Sequence, residues 1–160
     1  FIHQKHHNNP DIPRFAGWWG HDEKTRFKMD KTFVPIASAA GWQMSNAQIL
    51  PMAAHWASLE IFEEVGMEAL RRKSEKLTSY LEQLLDEGDF GFEIITPRDV
   101  SQRGCQLSLL TGDNGKELFK KLQAHGVIAD WREPNVIRIA PVPLYNSYED
   151  CWRFVEILKS

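Results

Sequence analysis

Two stretches of the 160-residue sequence combine residue types that could bind a ligand. The first is Arg138, which interrupts a run of the β-branched apolar residues Val136, Ile137 and Ile139. A guanidinium cannot be neutralised by losing its proton, so an arginine inside a buried strand needs an anion beside it. That anion is either a carboxylate of this chain or the carboxylate of a ligand, and the sequence alone leaves both open.

The second stretch places two tryptophans, Trp18 and Trp19, between Gly17 and Gly20. An indole offers a large flat face and one N–H donor, which suit contact with an aromatic ligand or with a phosphate. The alternative is that both rings fill a hydrophobic gap at a subunit contact. The sequence favours neither interpretation over the other.

Other catalytic and metal-binding patterns are weak. The serines, cysteines and histidines are scattered without a nucleophile-type turn, and there is no glycine-rich phosphate loop of known form. His3 and His7 have the spacing of a helical metal pair, but no cysteine or carboxylate completes a ligand set, so we expect no metal site. Cys105 and Cys151 are expected to be buried, reduced thiols, with a disulfide as the alternative.

Composition places the chain among ordinary soluble globular domains. It is 42% hydrophobic and 26% charged, and its length suits one domain. The net charge of −3 predicts neither a nucleic-acid partner nor an anionic membrane surface. No apolar run approaches the roughly 20 residues of a membrane span. We find no secretory leader, and a start at Phe1 instead of Met predicts a piece of a longer chain.

An amphipathic helix is predicted between the tryptophan stretch and the rest of the chain. Its apolar residues recur at spacings of three and four from about Ala47 to Gly66. Pro51 fits only the first helical turn, so Ser45 or Asn46 is the predicted N-cap. The stripe consists of Ile49, Met52, Trp56, Leu59 and Phe62.

The remaining sequence predicts a second helix followed by an α+β layer. A leucine stripe indicates a helix over residues 67–87. Capping pairs open two later helices, Asn114 with Glu117 and Ser147 with Asp150. Strands are predicted at residues 92–96, 106–111, 127–130 and 136–140. The order β-β-α-β-β-α suits a small, mainly antiparallel sheet with helices on one face, in which Arg138 lies on an inner strand.

Taken together, these stretches resemble the C-terminal part of the kynureninases, pyridoxal-phosphate enzymes of the aminotransferase-like superfamily. The likeness runs in order over nearly the whole chain and no single motif carries it. The matching segments are residues 1–3, 17–21, 25–30, 45–46, 57–62, 103–107 and 138–147.

The resemblance implies a fold and a domain organisation. The fold would be the small C-terminal α+β domain of the fold type I architecture. Residues 1–45 would be an irregular segment from the edge of a large domain, residues 46–66 an interdomain helix, and residues 67–160 the small domain.

The resemblance also implies a reaction. Kynureninases cleave kynurenine or 3-hydroxykynurenine with water to an anthranilate and alanine, using pyridoxal 5'-phosphate, in tryptophan catabolism and NAD biosynthesis. A cytoplasmic homodimer would follow, with a small-molecule substrate and no nucleic-acid or membrane partner. In the family, the cofactor lysine lies before the segment that matches Phe1. We therefore expect no catalytic residue in this chain and no activity from the chain alone.

Four positions match ligand-contacting positions of the family. Arg138 matches the arginine that binds the substrate α-carboxylate, and Trp18 and Asn46 match cofactor contacts across the dimer interface. Trp19 lies where relatives often carry Phe beside the substrate ring, which leaves the fit of that ring in doubt. If Arg138 serves a ligand, we expect it to face an open concavity with no protein carboxylate in reach.

Two other hypotheses stay open. The chain could belong to another enzyme of the superfamily, such as a desulfurase or an aminotransferase, although the tryptophan pair favours an aromatic substrate. It could instead be a stand-alone binding or regulatory module, in which Arg138 pairs with an internal carboxylate.

Overall fold

The computed structural model describes the whole chain, from Phe1 to Ser160. The chain divides into two compact units, Phe1–Leu59 and Glu60–Ser160. None of its helices combines the length and apolarity that a membrane crossing requires.

The first unit is built mainly of loops and short 3-10 helices. Its backbone groups are paired locally; the Asp22 amide, for example, donates to the Val34 carbonyl over 2.7 Å. An isolated β-bridge joins His21 to Pro35. The 3-10 helices lie at Gln4–His6, Trp18–Gly20, Arg26–Lys28 and Ala39–Trp42.

The first long helix, α1, runs over Ile49–Val65, and the boundary between the two units falls within it. Pro51 lies in its first turn as predicted, but the N-cap prediction is wrong. The first helical carbonyl is that of Gln48, which accepts from the Met52 amide over 2.9 Å, so Ser45 and Asn46 lie upstream of the helix. The predicted apolar stripe is exposed along all of α1, which has no buried residue.

The second unit confirms the predicted α+β layer. Helix α2 precedes a sheet whose strands pair antiparallel throughout, in the order β1-β2-β4-β3. Strand β4, which carries Arg138, is therefore an inner strand. The elements are α2 (Met67–Asp86), β1 (Phe92–Ile94), β2 (Leu107–Thr111), α3 (Gly115–Ala124), β3 (Asp130–Arg132), β4 (Val136–Ile139) and α4 (Tyr148–Lys159).

One face of the sheet forms the core with the helices. Leu107, Leu109 and Ile137 are almost completely buried because alternate residues of a strand point to the same face. They pack in one cluster with Leu77 of α2 and Val155 of α4. The residues between them, including Arg138, point to the opposite face of the sheet.

Two local predictions are wrong and one is confirmed. The third strand begins only at Asp130, because the Val127 amide instead donates to the Leu122 carbonyl over 3.0 Å and closes the end of α3. Asn114 precedes α3, but its side chain makes no capping hydrogen bond. Ser147 and Asp150 do form the predicted capping box of α4.

The two cysteines differ in burial. Both are free thiols, as predicted. Cys151 is buried in α4, and desolvation raises the pKa of its thiol to about 11, so it stays protonated at neutral pH. The prediction of burial is wrong for Cys105, which lies in the turn before β2 and is partly exposed.

Candidate functional site

Arg138 lies on the face of the sheet that the helices leave open. Ile137 and Ile139 on either side of it point into the core, so the strand alternation turns Arg138 outward. Its Cα partners in the neighbouring strands are Ser108 of β2 and Asp130 of β3. These three side chains form a polar row across the middle of the sheet.

The carboxylate of Asp130 binds Arg138. The Arg138 Nε donates to Asp130 Oδ2 over 2.8 Å, and Nη2 donates to the same oxygen. The expectation that no protein carboxylate is in reach of Arg138 is therefore wrong. A cavity of about 460 Å³ lies between β4 and α4 and is lined by Ile139 and Phe154, on the other face from Arg138. Arg138 is not among the residues that line this cavity.

This contact occupies one edge of the guanidinium only. A guanidinium carries five N–H donors in a planar fork, and Asp130 binds the side-on edge formed by Nε and Nη2. The Nη1 group of Arg138 donates to no atom of the chain. Because the side chain is 32% exposed, the end-on edge formed by Nη1 and Nη2 remains accessible to a second carboxylate.

The cluster around Asp130 keeps a net positive charge. Arg132 also approaches the carboxylate, with its Nε 3.0 Å from Oδ2, so two guanidinium groups share one carboxylate. The hydrogen bond from Arg138 is the main cause that lowers the pKa of Asp130, which is therefore ionised at neutral pH. One negative and two positive charges leave an excess of one, which attracts an anion.

A second arginine in the same unit has a different environment. The side chain of Arg103 is 1% exposed, and its Nη1 and Nη2 donate to the two oxygens of Glu82 over 2.9 and 2.7 Å. Glu82 also accepts from Arg98 over 2.8 Å. The end-on edge of Arg103 is thus fully used inside the protein.

The tryptophan pair of the first unit lies in a tight 3-10 turn, Trp18–Gly20. The glycines around it allow close contact with residues 41–44. A Cβ on Gly17 would lie 2.1 Å from the Met44 Cα, and a Cβ on Gly20 would lie 2.6 Å from the Gly41 carbonyl oxygen. Because neither position has room for a side chain, the glycines fix the turn and its tryptophans on the neighbouring segment.

Both indole rings are partly open. Trp18 is 52% exposed and Trp19 is 42% exposed. Trp18 lies 5.8 Å from the ring of Phe27, and the Arg26 guanidinium lies 4.7 Å above the ring of Trp19. Arg26 is fixed there because its Nη2 donates to the carbonyls of Trp19 and His21 over 3.2 and 3.1 Å.

Hydrogen-bond donors remain unused beside this turn. The indole N–H of Trp18 and the side-chain amide of Asn46 make no hydrogen bond within the chain, and both residues are exposed. Asn46 follows closely after Met44, whose backbone contacts Gly17. Trp18, Trp19 and Asn46 belong to the first unit, whereas Arg138 belongs to the second.

Asp130 is the site residue that the sequence analysis missed. Asp130 and Arg138 lie eight residues apart and face each other because β3 and β4 form a hairpin centred on Pro134. A third strand placed at residues 127–130 hides that register. The signal in the sequence was Pro134-Asn135, a turn pair midway between the two charged residues.

Comparison with known proteins identifies the family of the chain. The model of the kynureninase C-terminal domain matches residues 70–158. The kynureninase of Flavobacterium johnsoniae is 55% identical over 163 residues, and that of Myxococcus xanthus is 54% identical over 160. Each match covers 99% of this chain but 38% of the relative, so the chain spans about two fifths of the length of these relatives.

A solved structure confirms the fold. The apo structure of a cysteine desulfurase from Thermococcus onnurineus NA1 superimposes on 92% of this chain with a TM-score of 0.74. The two share 16% sequence identity, and the match covers 38% of the desulfurase chain. The fold is that of the C-terminal part of a fold type I pyridoxal-phosphate enzyme. The chain belongs to the kynureninase family, and residues 70–158 match the C-terminal domain of that family.

Proposed function

We propose that this chain supplies the C-terminal portion of a pyridoxal-phosphate-dependent hydrolase that cleaves a carbon–carbon bond of kynurenine or 3-hydroxykynurenine. The products would be an anthranilate and L-alanine. The observation that carries the proposal is the free end-on edge of Arg138 on an open sheet face, in a chain 55% identical to a kynureninase.

In this proposal, Arg138 binds the α-carboxylate of the substrate. A carboxylate and the Nη1/Nη2 edge of a guanidinium make two parallel charge-assisted hydrogen bonds, which fix orientation as well as affinity. The inner position of β4 makes the strand a rigid support for Arg138, since β4 is paired on both sides. Arg138 is thus a binding group and not a proton carrier.

The first unit has suitable groups for the cofactor. The free N–H donors of Trp18 and Asn46 fit the acceptor oxygens of pyridoxal phosphate, and the glycine-packed turn fixes the indole. Trp19 would lie against the aromatic ring of the substrate. When bound, pyridoxal phosphate supplies an electron sink for bond cleavage next to the substrate amine. The lysine that holds the cofactor would come from the upstream portion.

The assembly of the enzyme is also part of the proposal. Residues 1–45 would border the large domain, residues 46–66 would link the domains, and residues 67–160 would form the small domain. The exposed apolar stripe of α1 supports burial against further protein in the homodimer. The free thiols support a cytoplasmic location.

The stand-alone module is the alternative that one observation favours, since Arg138 does pair with an internal carboxylate. That pair leaves both side chains partly exposed, and it does not occupy the end-on edge of Arg138 that a ligand carboxylate would bind.

The test uses the full-length protein, meaning this chain together with the upstream portion that its relatives have. We expect a yellow, cofactor-bound protein that releases fluorescent anthranilate and one equivalent of alanine from kynurenine. Release of sulfur from cysteine, or exchange of amino groups, without anthranilate would identify another enzyme of the superfamily. A colourless protein that binds no pyridoxal phosphate would favour the stand-alone module.

A further inference from the structure

We propose that Asp130 is a positioning residue, which holds the side-on edge of Arg138 so that the end-on edge is presented to the substrate carboxylate. This inference rests on the proposed function and adds a residue to it. Asp130 itself would not touch the substrate.

The geometry of the contact supports a positioning role. One oxygen, Oδ2, accepts from both Nε and Nη2 of Arg138, which fixes the plane and the rotation of the guanidinium. The opposite edge is left without a protein partner. An arginine side chain has many rotamers, so fixing it before the ligand arrives lowers the entropy lost on binding.

Exposure argues against a purely structural pair. The side chains of Arg138 and Asp130 are 32% and 46% exposed, so water could solvate this guanidinium without any carboxylate. Ion pairs with this exposure contribute little to stability. The pair is therefore better explained by orientation than by neutralisation of a buried charge.

The backbone pairing of β3 and β4 places Asp130 opposite Arg138. Asp130 and Arg138 are direct partners in the register of β3 and β4, so the hairpin sets the distance between them. Arg132, two residues along β3, places its Nε 3.0 Å from the same Asp130 oxygen. The Asp130 oxygen that binds Arg138 thus lies in ion-pair contact with two guanidinium groups.

The experiment compares ligands with and without the α-carboxylate. In the full-length holoenzyme, Asp130→Asn keeps the size of the side chain and removes its charge. Dissociation constants are measured from the visible absorbance of the cofactor, for L-kynurenine and for the amine that lacks only the α-carboxylate. Glu133→Gln is the matched control, because Glu133 lies on the same hairpin but pairs with Lys116.

Asp130→Asn should weaken kynurenine binding on the order of tenfold, as expected for a misoriented charged contact, and shift amine binding by less than about twofold. The KM should rise more than kcat falls. Asp130→Glu, which retains the carboxylate, should recover part of the affinity. Glu133→Gln should bind both ligands like the wild type, and the melting temperature of all variants should stay close to that of the wild type.

A double variant completes the test. If Asp130 acts through Arg138, Asp130→Asn should have no further effect on kynurenine binding in an Arg138→Ala background. Equal weakening of both ligands by Asp130→Asn, or an undiminished effect without Arg138, would overturn the inference. Ligand binding is measured separately from anthranilate release, so an enzyme that binds but releases no anthranilate contradicts the proposed function alone.

Discussion

Arg103 and Arg138 lie in the same unit, and each binds a carboxylate, but the two ion pairs differ in the edge of the guanidinium that is used. Glu82 binds the end-on edge of Arg103 with both oxygens. Asp130 binds the side-on edge of Arg138 with one oxygen. The first arrangement leaves no place for a ligand carboxylate, and the second leaves the bidentate edge open.

Burial also distinguishes the two ion pairs. The side chains of Arg103 and Glu82 are 1% and 13% exposed, so each charge depends on the other. The side chains of Arg138 and Asp130 have substantial access to water. An arginine next to a carboxylate is therefore not necessarily structural. The free edge and the exposure decide which of the two has remaining binding capacity.

The largest expected effect comes from breaking the buried pair. Glu82→Ala leaves the Arg103 guanidinium buried without its main anion, which should destabilise the protein by about 3–5 kcal/mol. Chemical denaturation of the full-length protein measures this loss. The kcat/KM of the fraction that remains folded should be unchanged. A loss of stability below about 1 kcal/mol would show that Arg103 does not depend on Glu82 as its buried anion.

Removing Arg138 should lower activity and leave stability nearly unchanged, the reverse of the effect of Glu82→Ala. Arg138→Ala deletes a bidentate carboxylate contact and should cost roughly 2–4 kcal/mol in transition-state binding, or about 30- to 900-fold in kcat/KM. Stability should change little because the side chain is partly exposed. Steady-state kinetics with kynurenine measures the effect. An unchanged kcat/KM would remove Arg138 from the site and favour the stand-alone module.

Arg138 also shows which features of the site could be predicted from the sequence. Its position on an inner strand was predicted from the order of strands and helices and is confirmed. The prediction that this strand is buried is wrong for the face that carries Arg138, whose side chain is 32% exposed. The order of strands and helices in the second unit was predictable because each element has its own apolar pattern. The Ser147–Asp150 capping box was predictable because its hydrogen bonds are local.

Asp130 was not predictable by the same means. Val127, Ile128 and Ala129 have the composition of a strand. In the structure, however, the Val127 amide donates to the Leu122 carbonyl at the end of α3, and Ile128 is fully exposed. Shifting the strand by three residues changes which residue faces Arg138. The stripe of α1 presents a related limit, because periodicity identifies an apolar face but not what covers it.

The contributions of the two ion pairs to stability should also differ in how they change at low pH. Hydrogen bonding to Arg103 is the main cause that lowers the pKa of Glu82 below its ordinary 4.5. The unfolded state therefore binds the proton more readily, so the stabilisation is complete above about pH 4.5 and is lost as pH falls through the lower folded pKa. Melting temperatures between pH 7 and pH 3 should fall less steeply in Glu82→Gln than in the wild type. The pKa of Asp130 is also lowered, but its exposure makes the corresponding change in Asp130→Asn smaller.

The smallest effect is expected at Arg132, which distinguishes attraction at a distance from direct contact. Its side chain is 60% exposed, and Arg132→Ala would reduce the charge of the Asp130 cluster from plus one to zero. We expect about twofold weaker kynurenine binding at low salt and none of that difference at 0.5 M salt, because exposed charges are screened. Arg153→Ala, an exposed arginine paired with Glu149 on α4, is the matched control. A loss that persists at high salt would mean that Arg132 contacts the ligand, and the open edge of Arg138 would then be only one half of the carboxylate site.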